Sequence, residues 1–209
     1  MKLFALKREL KKKLAEDDMD AIAGLASEDR RVINILMSFS YDKDTELSWR
    51  AVQAVGESAR VLINSDYDFI RDTTRRLIWS VTEESGNVAW SSIEMLSEII
   101  ASDLSRLYDL VPIVVSMYEE EIFREGVMYG LSKFAESSPD IVLMHAGTIR
   151  EALSDVNPRV RYFALMSAKR AGMEIPDDIR ERLSSDHAKA RIYIDGMLRD
   201  VEVRDFLTE

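Results

Sequence analysis

The sequence predicts an all-α fold, an α-α superhelix in which about five helix pairs stack as a solenoid. Three observations predict it. The composition, 46% apolar and 32% charged with only 8 Gly and 4 Pro, lacks the turn chemistry of an all-β chain and suits amphipathic helices. Five segments, residues 47–56, 88–97, 122–130, 159–167 and 189–196, align with one another internally. Their equivalent positions, 50, 91, 124, 161 and 191, lie 41, 33, 37 and 30 residues apart, the length of one helical hairpin.

The elements follow in order. Lys2, Lys7, Arg8, Lys11, Lys12 and Lys13 stand with Leu3, Leu6, Leu10 and Leu14 at helical spacing, so residues 1–16 read as a basic amphipathic helix. Its leucines are expected to be buried as the cap that a solenoid end requires, although a basic amphipathic helix is also what an anionic membrane or partner contact would use. Residues 17–209 read as a single repeat domain. Residues 18–41 form a degenerate first pair. Second helices are expected at about 65–82, 103–117, 139–154 and 176–184, three of them opened by Asp66, Asp103 or Pro139-Asp140.

Three features fix the register of the aligned segments. Arginine recurs at Arg50, Arg124, Arg161 and Arg191, with Ser91 the exception. A small residue follows six positions later at Gly56, Ser97, Gly130 and Ser167, letting a neighbouring helix approach, and Met197 departs from it. A polar residue precedes by four at Glu46, Asn87, Glu120, Asn157 and His187, suited to an N-cap or first turn, and Pro158 then occupies a first helical position that tolerates it. One arginine per hairpin at fixed phase is expected to bind a neighbouring carboxylate or helix-end carbonyl rather than to form an anion-binding ladder.

The run Asn157-Pro-Arg-Val-Arg-Tyr-Phe-Ala-Leu resembles the D-P-x-V-R-x-x-A motif of HEAT-like repeats of the phycobilisome-lyase type, and Trp49-Arg-Ala-Val-Gln-Ala-Val-Gly matches its continuation. The resemblance covers about residues 45–200. It implies a HEAT/armadillo-like solenoid, a right-handed stack of antiparallel pairs with first helices convex and second helices concave. It implies no single activity, since such repeats serve in scaffolds, bilin lyases and unrelated partners. The segment from Arg75 to Trp90 also resembles an uncharacterised bacterial and archaeal HEAT-repeat family with a W-x-x-x-(D/E)-E-S-G-x-x-x-W pattern; Asn87 and Val88 stand where that family has further glycines.

The same segment is the best candidate site. Trp79 and Trp90 could supply rigid aromatic contact area, Glu83 and Glu84 could accept from a basic partner, and Arg75 and Arg76 lie one turn before. The structural alternative is that Gly86 ends a helix, Asn87 caps the next, and both tryptophans are core. The arginines of the second helices, Arg71, Arg75, Arg76, Arg106, Arg150, Arg180 and Arg182, would make a locally basic groove if they converged on one face.

Several chemistries lack support. With no cysteine there are no disulfides or thiolate ligands, and His145 and His187 sit in no metal-binding spacing. His187 reads as a helix cap. Asp42, Asp44 and Glu46 resemble the opening of a calcium loop, but Leu47 and Gln53 occupy positions that need Gly and Glu. Glu119, Glu120 and Glu121 point in different directions on a helix. Glycine-rich phosphate loops and nucleophile elbows are absent from the sequence. No cofactor or metal is therefore expected. A net charge of -10 makes nucleic acid an unfavourable bulk partner, and neither a signal peptide nor a membrane span is read, pointing to the cytoplasm. The expectation is a non-catalytic scaffold for a protein partner. The alternatives are a nucleic-acid or DNA-glycosylase-like module using the basic strip, and a bilin-lyase-like protein.

Overall fold

The computed structural model describes residues 2–82 and 91–208. They are mostly helical, with one two-stranded sheet, and the chain divides into two compact units, Met1–Asp103 and Leu104–Glu209.

The first unit holds α1 (Leu3–Ala15), α2 (Met19–Glu28), α3 (Arg31–Met37), α4 (Glu46–Leu62), α5 (Tyr67–Thr82) and α6 (Ser92–Ser102). Leu6, Leu10 and Leu14 of α1 are buried, as the amphipathic spacing predicts, whereas Leu3, expected to be buried with them, is exposed in the first turn. Asp18 caps α2 by accepting from the Ala21 amide, and Thr45 caps α4 by accepting from Ser48. Between α2 and α3, the Arg31 guanidinium, bonded at 2.9 and 2.6 Å, holds the Asp29 carboxyl down at about 2. Helix α4 packs against α2, α3 and α6, and α5 lies on α6.

The second unit begins where one helix was expected over 103–117. Instead α7 (Leu104–Leu107), a 3-10 turn and α8 (Val111–Ser116) follow one another. Pro112 in the first turn of α8 is the physical reason, because it lacks the backbone donor that a continuous helix would direct at Tyr108 O. Next come α9 (Arg124–Phe134), α10 (Pro139–Leu143), α11 (Ala146–Ala152), α12 (Pro158–Arg170) and α13 (Asp177–Ser184). The single helix expected over 139–154 is thus split at Met144 and His145, and nothing in the local sequence explains the break. Asn157 caps α12, accepting from the Arg159 amide at 2.9 Å with Pro158 beside it. The other end of α12 closes in a Schellman motif: Gly172 takes φ 66°, and the Met173 amide donates to Ala168 O at 2.8 Å.

The fifth aligned segment is not a helix. Residues Lys189–Ile194 form β1, paired antiparallel with β2 (Met197–Glu202), and α14 (Asp205–Thr208) follows. Ala190 and Ile192 are buried while Lys189 and Arg191 are exposed, a period of two, and Asp195-Gly196 supplies two consecutive positive φ angles, 51° and 78°. That is the backbone a two-residue hairpin turn requires. His187 accordingly caps no helix; its Nδ1 lies 3.0 Å from Glu202 Oε2.

The repeated arginines bind as their phase suggests. Arg124 donates to Tyr118 O, six residues before it, at 3.2 Å and to Asp155 Oδ2 at 3.0 Å. Arg161 likewise donates to Asp155 O at 2.8 Å and to both Asp186 oxygens at 2.7 and 3.1 Å. Asp155 and Asp186 each also accept from the amide two residues on, Asn157 and Ala188, so each aspartate turns the chain into its next element. In the first unit Arg50 binds the last carbonyls of α1, Leu14 and Ala15, at 3.2 and 3.0 Å. Arg191, in a strand, falls outside this pattern.

The small residues mark close approaches. Ser167 of α12 donates to Met128 O of α9 at 3.3 Å. A Cβ added at Gly56 on α4 would lie 2.9 Å from Oε2, 3.0 Å from Cβ and 3.1 Å from the carbonyl oxygen of Glu98 on α6. The carboxylate could swing aside, but the carbonyl moves only if α6 does. Gly56→Ala should therefore destabilise the protein by about 1–2 kcal/mol in urea unfolding, overpacking outweighing the gain in helix propensity; a stabilised variant would contradict this close approach.

Candidate functional site

Helix α5 is amphipathic, and its spacing decides which side chains remain available. Ile70, Thr73, Thr74 and Leu77 are buried, leaving Asp68, Asp72, Arg75, Trp79 and Thr82 as an exposed stripe at successive i,i+3 and i,i+4 positions. Trp79 is 61% exposed, so the core reading of this tryptophan fails. Arg75 donates to Asp72 Oδ1 at 2.6 Å, an exposed pair worth little to stability. Arg76 donates to Thr73 Oγ1 at 3.1 Å and to Asn34 Oδ1 on α3 at 3.3 Å. Three of the candidate residues, Arg75, Arg76 and Trp79, are thus brought together on one helix surface. Glu83, Glu84 and Trp90 lie outside the described residues, as do Gly86 and Asn87.

Beyond the candidate segment the chain is firmly anchored. Ser92 Oγ lies 3.2 Å from Ser80 Oγ on α5, Ser91 Oγ donates to Ser40 O at 2.6 Å, and the Lys43 ammonium hydrogen-bonds the Glu94 carboxylate. Glu94 is 1% exposed within an α6 buried from Ser92 to Ile100. The loop carrying Lys43 is held in turn, because Trp49 Nε1 donates to Lys43 O at 2.9 Å and Ser48 Oγ to Phe39 O at 2.9 Å. Sequence reasoning missed this buried pair. Its partners lie 51 residues apart, and the only local signal was a glutamate inside the apolar run Ile93-Glu94-Met95-Leu96.

The arginines of the second helices divide between the two units. Arg71, Arg75 and Arg76 belong to the first unit and Arg106, Arg150, Arg180 and Arg182 to the second; Arg182 is occupied with Leu153 O and Ser154 Oγ.

Within the second unit, a cleft of about 400 Å³ is lined by Glu121, Ile122, Glu125, Asp155, Asn157 and Val160. Arg124 holds Asp155, and Arg159 approaches Glu125 at 3.5 Å, so the cleft reads as the ion-paired seam between the starts of α9 and α12. Burial pushes the Tyr118 phenol up to about 12, helped by the charges of Asp155 and Glu151 against that of Arg124. Burial likewise lowers His145. Among the described residues no group of three or more His, Asp or Glu side chains could hold a metal ion, and no helix is long and apolar enough to cross a membrane. No family model, curated protein or solved structure matches this chain.

Lys43→Met should destabilise the fold by about 3–5 kcal/mol in urea unfolding, because it leaves the buried Glu94 charge without its cation. Lys43→Met with Glu94→Met should recover most of that loss. Equal destabilisation of the single and double variants would show that the pair does not compensate the buried charge.

Proposed function

We propose that this chain is a non-catalytic binding scaffold of HEAT-repeat type, a superhelical stack of helix pairs in which the exposed edge of α5 holds a protein partner. The observation that carries this reading is Trp79, 61% exposed and set one turn beyond Arg75 and Arg76. A tryptophan held in water by a rigid helix offers a large contact area at small entropic cost, and Trp with Arg is the pairing enriched at interface hot spots. The partner surface would offer an apolar pocket for the indole and carboxylates for the two guanidinium groups. The internal repeat and the HEAT-like motifs at residues 49–56 and 157–165 support the family assignment. The ion-pairing of Arg124, Arg159 and Arg161 supports a structural use for the polar clusters of the second unit.

The test is a photo-crosslinking amino acid in place of Trp79 in the native cell. One defined adduct is expected, lost when Arg75→Glu and Arg76→Glu are added and absent when the crosslinker replaces exposed Arg60. For the purified partner, Trp79→Ala should weaken affinity about thirtyfold. Absence of an adduct at position 79, or one unaffected by the arginine reversals, would overturn the reading.

A further inference from the structure

Helix α1 carries a second surface that the scaffold reading does not use. Its inner stripe, Leu6, Leu10 and Leu14, is spent on the fold. The opposite face presents Phe4, Arg8 and Lys11 at i, i+4 and i+7, flanked by Lys2, Lys7 and Lys12, all exposed. Phe4 is 80% exposed. Among the described residues Lys2, Arg8 and Lys11 have no carboxylate within ion-pair reach, Lys7 stands over the Phe39 ring at 5.3 Å, and Lys12 is only 3.9 Å from Glu16. Six cations and one anion thus fall within residues 2–15 of a chain whose net charge is -10.

We propose that α1 docks the protein reversibly onto an anionic lipid bilayer, with Phe4 entering the headgroup region and Lys7, Arg8, Lys11 and Lys12 facing the lipid anions. Charge complementarity selects an anionic surface, and the cations run along roughly 15 Å of one straight helix, a shape that fits a flat charged lattice better than a pocket. Phe4 selects the bilayer over a nucleic acid. A phosphate backbone would satisfy the cations and leave this apolar side chain in water, whereas the boundary between headgroups and acyl chains accepts it. The acidic remainder of the chain opposes approach only within about one Debye length, roughly 8 Å at physiological ionic strength. One short helix with one apolar anchor binds weakly and reversibly, so attachment depends on salt.

The experiment is co-sedimentation of the full chain with phosphatidylcholine vesicles, with and without phosphatidylglycerol, across a salt series. Binding is expected only to the anionic vesicles and should be released as ionic strength rises. Arg8→Glu with Lys11→Glu should weaken it about thirtyfold, and Phe4→Ala severalfold. All three side chains are exposed, so circular dichroism should show these variants folded like the parent. Failure to sediment with anionic vesicles at low salt, or equal binding to both vesicle types, overturns the proposal. So does a Phe4→Ala variant that binds unchanged while a short DNA duplex binds as tightly, which would make α1 a general polyanion surface. None of these outcomes bears on Trp79, so this proposal and the scaffold reading fail separately.

Discussion

Arg161 performs two tasks whose failure would each be costly. It satisfies two carbonyls in the turn between α11 and α12, Asp155 O at 2.8 Å and Val156 O at 3.1 Å, and it compensates Asp186, the residue that turns the chain into β1. Desolvation is the strongest single influence on Asp186 and pushes its pKa up. The Arg161 hydrogen bonds, the Ala188 amide and the charges of Arg161 and Arg182 together outweigh it, and the carboxyl ends below its usual range. Arg124 makes the corresponding hydrogen bonds, to Tyr118 O at 3.2 Å and Asp155 Oδ2 at 3.0 Å. Because Asp155 is both the acceptor for Arg124 and, through its carbonyl, the acceptor for Arg161, the two clasps share a residue and reinforce one another. The start of α9, the turn into α12 and the turn into the hairpin are fixed by one connected set of charge-assisted bonds.

That constraint governs where function can sit. Arg50, Arg124 and Arg161 are consumed by the fold, so these three cannot also form a ladder for a bound anion. Between the clasps, small residues let helices meet closely: Gly56 leaves no room for a methyl group against Glu98, and Ser167 reaches Met128 O. The binding surfaces proposed here are therefore built from side chains the packing leaves free, Trp79 on α5 and the Phe4, Arg8 and Lys11 face of α1.

The sequence was most legible where a local rule and a tertiary need agreed. The 3.6-residue spacing of Leu6, Leu10 and Leu14 located α1, and Asn157-Pro158 located the start of α12 to the residue. The arginine phase was legible as structural before any partner was known. It was illegible where similarity to other segments competed with local chemistry: residues 189–196 align with helices, yet Asp195-Gly196 and the alternation of Ala190 and Ile192 impose a hairpin. Pro112 should likewise have warned against one helix over 103–117. Of the candidate site, the chain neighbourhood of Trp79, Arg75 and Arg76 was readable, but exposure was not, since a tryptophan in an amphipathic helix is core or surface by one step of register. The Lys43–Glu94 pair depends on residues from distant segments and left no local pattern.

The clasp at the hairpin turn is the most direct point of test, through a double-mutant cycle of Arg161→Met and Asp186→Asn read by urea unfolding across pH. Because the folded Asp186 pKa is depressed, its stabilising contribution is fully present above the unfolded value of about 3.9 and is lost as pH falls through the folded value. A coupling energy of about 2 kcal/mol is expected at neutral pH, shrinking as the medium is acidified through that low value. Additive effects at neutral pH, or a coupling indifferent to acid, would contradict the clasp as the interaction that fixes this part of the fold.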